Sequence, residues 1–69
     1  MYHIDQKKLE GKIVEKSMTK EALATACNVD RSTLHRRIKN GTLRISDIHA
    51  ICTELNLSGA EAMEIFLAQ

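Results

Sequence analysis

Hydrophobic residues recur at helical spacing along most of the chain. Leu9 and Ile13 lie four residues apart near its start, and the same spacing joins Leu34 to Ile38 further on. Residues at this spacing share one side of an α-helix, whereas a strand would alternate hydrophobic and polar residues. We therefore predict an all-α fold and a single domain over residues 1–69. Its five helices are expected at about residues 5–16, 20–27, 31–40, 45–55 and 59–67.

The broadest hydrophobic face belongs to the fourth predicted helix, which we expect at the centre of the core. Its members recur every three or four residues: Ile45, Ile48, Ile51, Cys52 and Leu55. The last helix holds more hydrophobic residues than one core-facing stripe requires. Three of them form a candidate dimer or partner surface: Met63, Phe66 and Leu67. The alternative is that the whole helix packs on the domain.

Capping residues indicate where the second and third helices begin and end. Thr19 and Asp30 can accept hydrogen bonds from the free backbone N–H groups at the two helix starts. Asn28 tolerates the left-handed conformation that commonly ends a helix, and Gly41 is suited to ending the third. Two short helices joined by so tight a turn predict a helix-turn-helix at about residues 19–41.

Charge is distributed unevenly along the chain, although its net charge is only +1. Residues 1–44 hold all ten Lys and Arg against five Asp and Glu, which gives +5, whereas residues 45–69 hold four acids and no Lys or Arg. A chain of this kind can present a basic face to one partner and an acidic end to another. Residues 1–4 are expected to be either frayed or lightly docked on the domain, since short termini lose little by remaining free.

Groups for catalysis or metal binding are few. The three histidines and two cysteines show no CxxC or HxxxH spacing, and there is no Gly-rich phosphate loop or nucleophile motif. Cys27 and Cys52 fall on predicted hydrophobic faces, as expected for small, reduced core residues. We therefore predict no catalytic residue, no metal site and no cofactor. The chain also lacks a membrane-spanning run and a signal-peptide stretch, so a soluble cytoplasmic protein is expected.

The outer face of the third predicted helix is polar and cationic. A helix of this character can enter a DNA major groove, where an arginine donates two parallel hydrogen bonds to O6 and N7 of guanine. Arg31 and Arg36 are the main candidates for this contact. The full face consists of Arg31, Ser32, His35, Arg36 and Lys39.

The segment MTKEALATACNVDRSTLHRRIKNG resembles the Cro/CI-type (XRE-like) helix-turn-helix of phage repressors. ISDIHAICTELNLSGAEAMEIF is similar to the fourth and fifth helices of small Gram-positive prophage regulators. Together the two segments extend the resemblance over about residues 5–67. It implies a compact five-helix, lambda-repressor-like DNA-binding domain that regulates transcription in a bacterial host cell, associated with the nucleoid.

The resemblance also implies which side chains contact DNA. Base-reading positions fall on Arg31, Ser32 and Arg36, with His35 on the same edge. Phosphate contacts are expected from Lys20, Thr33, Arg37, Lys39, Asn40 and Thr42. Lys20 stands where Gln is frequent in the family, and Asp30 stands where Ser or Thr is more common. The third helix also departs from the family in being one residue longer, with Leu34 and Ile38 four apart rather than three, which would turn Arg37 partly toward the groove wall. The negative charge of Asp30 near a phosphate would oppose binding unless a cation compensates it.

Two functions stay open on the sequence alone. One is sequence-specific binding to double-stranded operator DNA by a homodimer, whose two recognition helices would lie about one DNA turn, roughly 34 Å, apart. The other is a protein-interaction module that binds a partner repressor, as modulators of repression and antitoxin-like proteins do. The low net charge and the hydrophobic, acidic last helix would suit the second function.

Overall fold

The computed structural model describes residues 3–69, which fold into five α-helices. These are α1 (Gln6–Glu15), α2 (Lys20–Ala26), α3 (Arg31–Asn40), α4 (Ile45–Leu55) and α5 (Gly59–Phe66). Within that part of the chain no strand occurs, and the one β-type contact is an isolated antiparallel bridge between His3 and Ala68. The predicted all-α, five-helix fold is therefore confirmed. α1, α2 and α5 are shorter than expected by one or two residues.

Short polar side chains cap the amino-terminal ends of four helices. Thr19 Oγ1 accepts a hydrogen bond from the Ala22 N–H at 3.0 Å, and Asp30 accepts one from the Thr33 N–H at the same distance. Asp5 caps α1 and Ser58 caps α5 in the same way. Each bond satisfies a donor that the helix itself leaves free, so each helix begins where its cap lies.

A left-handed residue follows each of the first four helices. Asn28 has φ 62° and Gly41 has φ 68°, which confirms both predicted helix ends, and Ser17 and Asn56 adopt the same conformation. After each, the next N–H donates to a carbonyl five residues back; the Val29 N–H, for instance, lies 3.0 Å from the Ala24 carbonyl. This pattern closes a helix with a very short connection. The turn between α2 and α3 is tight for this reason.

The core is aliphatic apart from Phe66 and lies between two packed sets of helices. α2 packs against α3 and α4, while α1 packs against α5. Leu23, Ile51 and Leu55 are completely buried, and the small side chain of Ala24 is 2% exposed among them. The whole buried set is Leu9, Ile13, Leu23, Ala24, Leu34, Ile51, Leu55, Ile65 and Phe66. Burying each large member stabilises the fold by about 1.5–3 kcal/mol.

One expectation about a hydrophobic residue is wrong. Ile45 was expected on the core face of α4 but is 87% exposed, since it is the first residue of that helix. Phe66, expected on a dimer or partner surface, is only 7% exposed and packs mainly in the core. α5 ends at Phe66, and residues 3 and 4 line a cavity beside its ring.

The amino-terminal segment is docked on the end of α5. The His3 N–H donates to the Ala68 carbonyl at 2.8 Å, and the Ala68 N–H donates to the His3 carbonyl at 3.0 Å. The Asp5 N–H also donates to the Ile65 carbonyl at 2.7 Å. Of the two expected arrangements, residues 3 and 4 thus adopt the docked one, while Met1 and Tyr2 lie outside the described residues. Across residues 3–69 no helix is long and hydrophobic enough to span a membrane.

Candidate nucleic-acid interface

α3 presents a polar face because its opposite side is anchored in the core. Leu34 is 1% exposed, and Ile38, one turn later, is packed against the core. Residues on the opposite side of the helix from these anchors point away from the domain, since successive residues of an α-helix are about 100° apart around its axis. All four predicted base-reading residues are exposed: Arg31, Ser32, His35 and Arg36.

α2 and α3 together form an open, cationic depression at the front of the helix-turn-helix. It has a volume of about 370 Å³ and is lined by Lys20, Arg31, Ser32 and His35. Lys20 is the first residue of α2 and Arg31 the first residue of α3. The structure thus brings together one predicted phosphate contact and three predicted base contacts from two helices. Arg36 is exposed one turn after Ser32, and its charge also acts on Asp30 at the start of α3.

Two carboxylates border this depression and were not anticipated from the sequence. Lys20 Nζ donates to Glu10 Oε1 of α1 at 2.8 Å, and Arg31 Nη1 lies 3.9 Å from Glu21 Oε1 of α2. The hydrogen bond from Lys20 and its positive charge hold the pKa of Glu10 below its usual value. The charges of Lys20 and Arg31 are therefore partly neutralised within the domain. Glu10 and Lys20 lie on different helices, so no spacing rule connects them.

Asp30 stabilises the start of α3 while placing a negative charge there. The pKa of Asp30 lies below its usual value. The largest cause is a hydrogen bond from the Thr33 side chain, the next is the hydrogen bond from the Thr33 N–H, and the nearby charge of Arg36 adds to both. Asp30 is therefore ionised at neutral pH. Thr33, a predicted phosphate contact, is half-buried and participates in this cap.

Arg37, predicted to contact phosphate, instead forms a partly buried ion pair. Its Nη1 lies 3.1 Å from Asp47 Oδ2, and its side chain is only 18% exposed. The reason is helical spacing, because Arg37 follows Leu34 by three residues and so lies toward the core side of α3. The sequence indicated only that Asp47, four residues before Ile51 on the buried face of α4, needs a partner, and it did not identify Arg37 as that partner.

The remaining predicted phosphate contacts lie at the carboxyl end of α3. Lys39, Asn40 and Thr42 are all exposed. Within residues 3–69 their side chains take part in no hydrogen bond or ion pair. They are free to meet another molecule beside the face formed by Arg31, Ser32, His35 and Arg36.

The cysteines lie away from this face and are free thiols. Cys27 and Cys52 are half-buried, and burial raises the pKa of both. Over residues 3–69 no group of three or more His, Cys, Asp and Glu side chains is arranged to hold a metal ion.

Comparison with known proteins agrees with this geometry. Residues 8–66 match the family described as Cro/C1-type HTH DNA-binding domain, a span that includes most of α1 and all of α2–α5. No curated protein and no solved structure matches the chain significantly. The matched span contains both helices of the motif, its tight turn and every exposed residue of the polar α3 face. The chain therefore belongs to the Cro/C1-type helix-turn-helix DNA-binding domain family.

Proposed function

We propose that this protein is a sequence-specific transcriptional regulator that binds double-stranded operator DNA through α3. The observation that carries the proposal is the orientation of α3: Arg31, Ser32, His35 and Arg36 are exposed while Leu34 is 1% exposed. Arg31 and Arg36 would each donate to a guanine, and Ser32 and His35 would add weaker contacts to neighbouring bases. The role fits that of a phage or prophage repressor or Cro protein acting in the bacterial cytoplasm.

Contacts to the DNA backbone would flank the inserted helix. Lys20 lies at the start of α2, beside Arg31, and Thr33 lies in the first turn of α3. Lys39, Asn40 and Thr42 lie at the opposite end, exposed. Backbone contacts at both ends of a helix set its register on the duplex and add affinity that falls with salt. Arg37 is not among these backbone contacts, because its guanidinium is paired with Asp47.

A homodimer would present two such helices to successive turns of DNA. Met63 is 61% exposed and Leu67 is 47% exposed. With Ile48, Ala62 and the edge of Phe66 they line an open, almost entirely hydrophobic groove of about 220 Å³. Two-fold pairing through this groove would cover the exposed side chains and increase affinity for a symmetric operator.

The same groove supports a second candidate function, binding to a partner repressor. Met63 and Leu67 would then meet another protein, and Glu64 beside them would favour a basic partner. This function needs no contact between α3 and DNA. The two candidates therefore differ in whether the α3 face or the α5 groove carries the activity.

Selection from random DNA tests the proposal. The purified protein is mixed with duplexes containing about 20 random base pairs, enough for two half-sites one turn apart. We expect enrichment of a two-fold symmetric sequence containing guanine in each half, and binding that weakens steeply with salt. The second candidate would be favoured by two results together. No sequence is enriched, and a repressor is retained on the immobilised wild-type protein but not on the Met63→Asp variant.

A further inference from the structure

Asp47 lies where three helices meet, and it is bonded to each of them. Its Oδ2 accepts a hydrogen bond from Arg37 Nη1 of α3 at 3.1 Å and another from the Arg44 N–H at the start of α4 at 3.0 Å. Its main-chain carbonyl accepts from the Cys27 thiol at the end of α2 at 3.7 Å. Asp47 is also the one buried charged residue within residues 3–69, at 3% exposed.

A carboxylate this deeply buried strongly constrains its partner. Removing one member of a buried ion pair leaves an uncompensated charge, which is far more costly than losing an exposed pair. Arg37 is itself mostly buried and has no other ion-pair partner in the described part of the chain. The guanidinium of Arg37 is therefore held at one place relative to α4, so a rotation of α3 about its axis must distort the Arg37 side chain or weaken that bond.

The orientation of Arg36 follows from the position of Arg37. Adjacent residues of an α-helix are separated by about 100° around the axis, so fixing one side chain sets the direction of the next. Leu34 limits the depth of α3 in the core, but a hydrophobic contact is non-directional and permits small rotations. A hydrogen-bonded ion pair is directional and restricts them.

We propose that Asp47 is a positioning residue for sequence recognition. Acting through Arg37, it fixes the rotation of α3 relative to α2 and α4 and so directs Arg36 and its neighbours toward particular base edges. The inference rests on the proposed DNA-binding function, and it concerns specificity more than affinity. Phosphate contacts tolerate small rotations of the helix, whereas paired hydrogen bonds to a base do not.

The test replaces both members of the pair. The double variant Arg37→Met with Asp47→Asn keeps side-chain volume, leaves no unpaired buried charge and preserves the net charge of the protein. We expect it to fold, as shown by circular dichroism and a cooperative thermal transition. Its affinity for the selected operator should fall about tenfold, while its affinity for a scrambled duplex should change less than about twofold.

A matched control separates positioning from stability. Lys12 of α1 and Glu61 of α5 form an ion pair that joins two other helices. The double variant Lys12→Met with Glu61→Gln also preserves net charge and removes an interhelical pair. It should retain the wild-type ratio of operator binding to scrambled-duplex binding, whatever its thermal stability.

Three outcomes distinguish this inference from the proposed function. Absence of any selected operator for the wild type would remove the function and the inference together. An operator that the Arg37→Met, Asp47→Asn variant binds with the wild-type ratio, whether both affinities stay unchanged or both fall by the same factor, would overturn the inference alone. If that variant does not fold, Asp47→Asn alone is used, because it keeps the acceptor oxygen at the start of α4. This variant must lower the ratio of operator binding to scrambled-duplex binding by about threefold, or the inference fails.

Discussion

Lys20 Nζ lies 2.8 Å from Glu10 Oε1, so a cation proposed to contact DNA is already paired inside the free domain. The bond joins α1 to α2 and borders the depression in front of α3. DNA would have to compete with Glu10 for Lys20, and the uncompensated charge of Glu10 would then face the phosphates. Glu10 is thus expected to moderate binding to DNA of any sequence.

Glu10→Gln should therefore strengthen DNA binding. The substitution removes the competing charge, so Lys20 becomes available to a phosphate without the loss of an ion pair. We expect a several-fold increase in affinity for the operator and for a scrambled duplex alike, since phosphate contacts carry no sequence information. In an anisotropy titration over a salt series, the log–log slope should become steeper by about one unit.

Glu54→Gln is the matched control for Glu10→Gln. It removes the same charge from an exposed position on α4, outside the helix-turn-helix. Glu54 takes part in no ion pair within residues 3–69. A much smaller effect is expected there. Equal effects of the two substitutions would mean that net charge, and not the bond between Lys20 and Glu10, governs the affinity.

Asp30 should have opposite effects on folding and on DNA binding. Asp30→Ser keeps an oxygen that can cap α3 but removes the negative charge, so we expect a nearly unchanged Tm and tighter DNA binding. Asp30→Ala also removes the charge but leaves the Thr33 N–H without its acceptor, and its Tm should fall. Thermal melts and DNA titrations of the two variants check this, and weaker binding by the Ser variant would contradict it.

Acid stability should depend measurably on Glu61. The hydrogen bond from Lys12, followed by that from the Ser58 N–H, lowers the pKa of Glu61 from 4.5 to about 2. A lowered folded-state pKa stabilises the protein above pH 4.5, and this contribution is lost as the pH falls toward 2. The Tm of Glu61→Gln should thus vary less over this range than the Tm of the wild type. Parallel curves for the two proteins would exclude the effect.

The exposed groove on α5 predicts which substitutions separate a dimer without unfolding it. Met63→Asp and Leu67→Asp should leave the thermal transition in place, because both side chains are exposed, and should shift sedimentation toward the monomer. Phe66→Asp should unfold the domain, since it would bury a charge in the core. A wild-type protein that sediments as a monomer even on operator DNA would rule out the dimer.

Helix positions could be predicted because their determinants are local. Thr19 and Asp30 cap helices with their own side chains, and Asn28 and Gly41 end helices through their own backbone conformations. Such preferences act over three or four residues and are visible in the order of the sequence. Ser17 adopts the same left-handed conformation with no comparable signal, because serine has no strong preference for it.

The pairing of charges could not be predicted because it depends on tertiary packing. Glu10 and Lys20 are ten residues apart on separate helices, and so are Arg37 and Asp47. Arg37 was expected near DNA because its helix is one residue longer than in the family, yet it forms an ion pair with the neighbouring buried carboxylate of Asp47. Ile45 shows the same limit, since helical spacing identifies a stripe but not where the core ends along it.

Recognition of guanine by Arg31 and Arg36 is the central claim, and modified operators test it most directly. Each guanine of the selected operator is replaced in turn by 7-deazaguanine, which lacks the N7 acceptor, and the Kd is measured for the wild type, Arg31→Ala, Arg36→Ala and the charge-matched control Lys16→Ala. The wild type and the control should lose affinity at particular guanines, within the 1–3 kcal/mol or so that a paired contact provides. For each arginine variant, 7-deazaguanine at one of those guanines should leave the Kd unchanged, whereas the same replacement at the others should still weaken binding. If both arginine variants keep the full wild-type pattern of losses, α3 does not read bases through these residues.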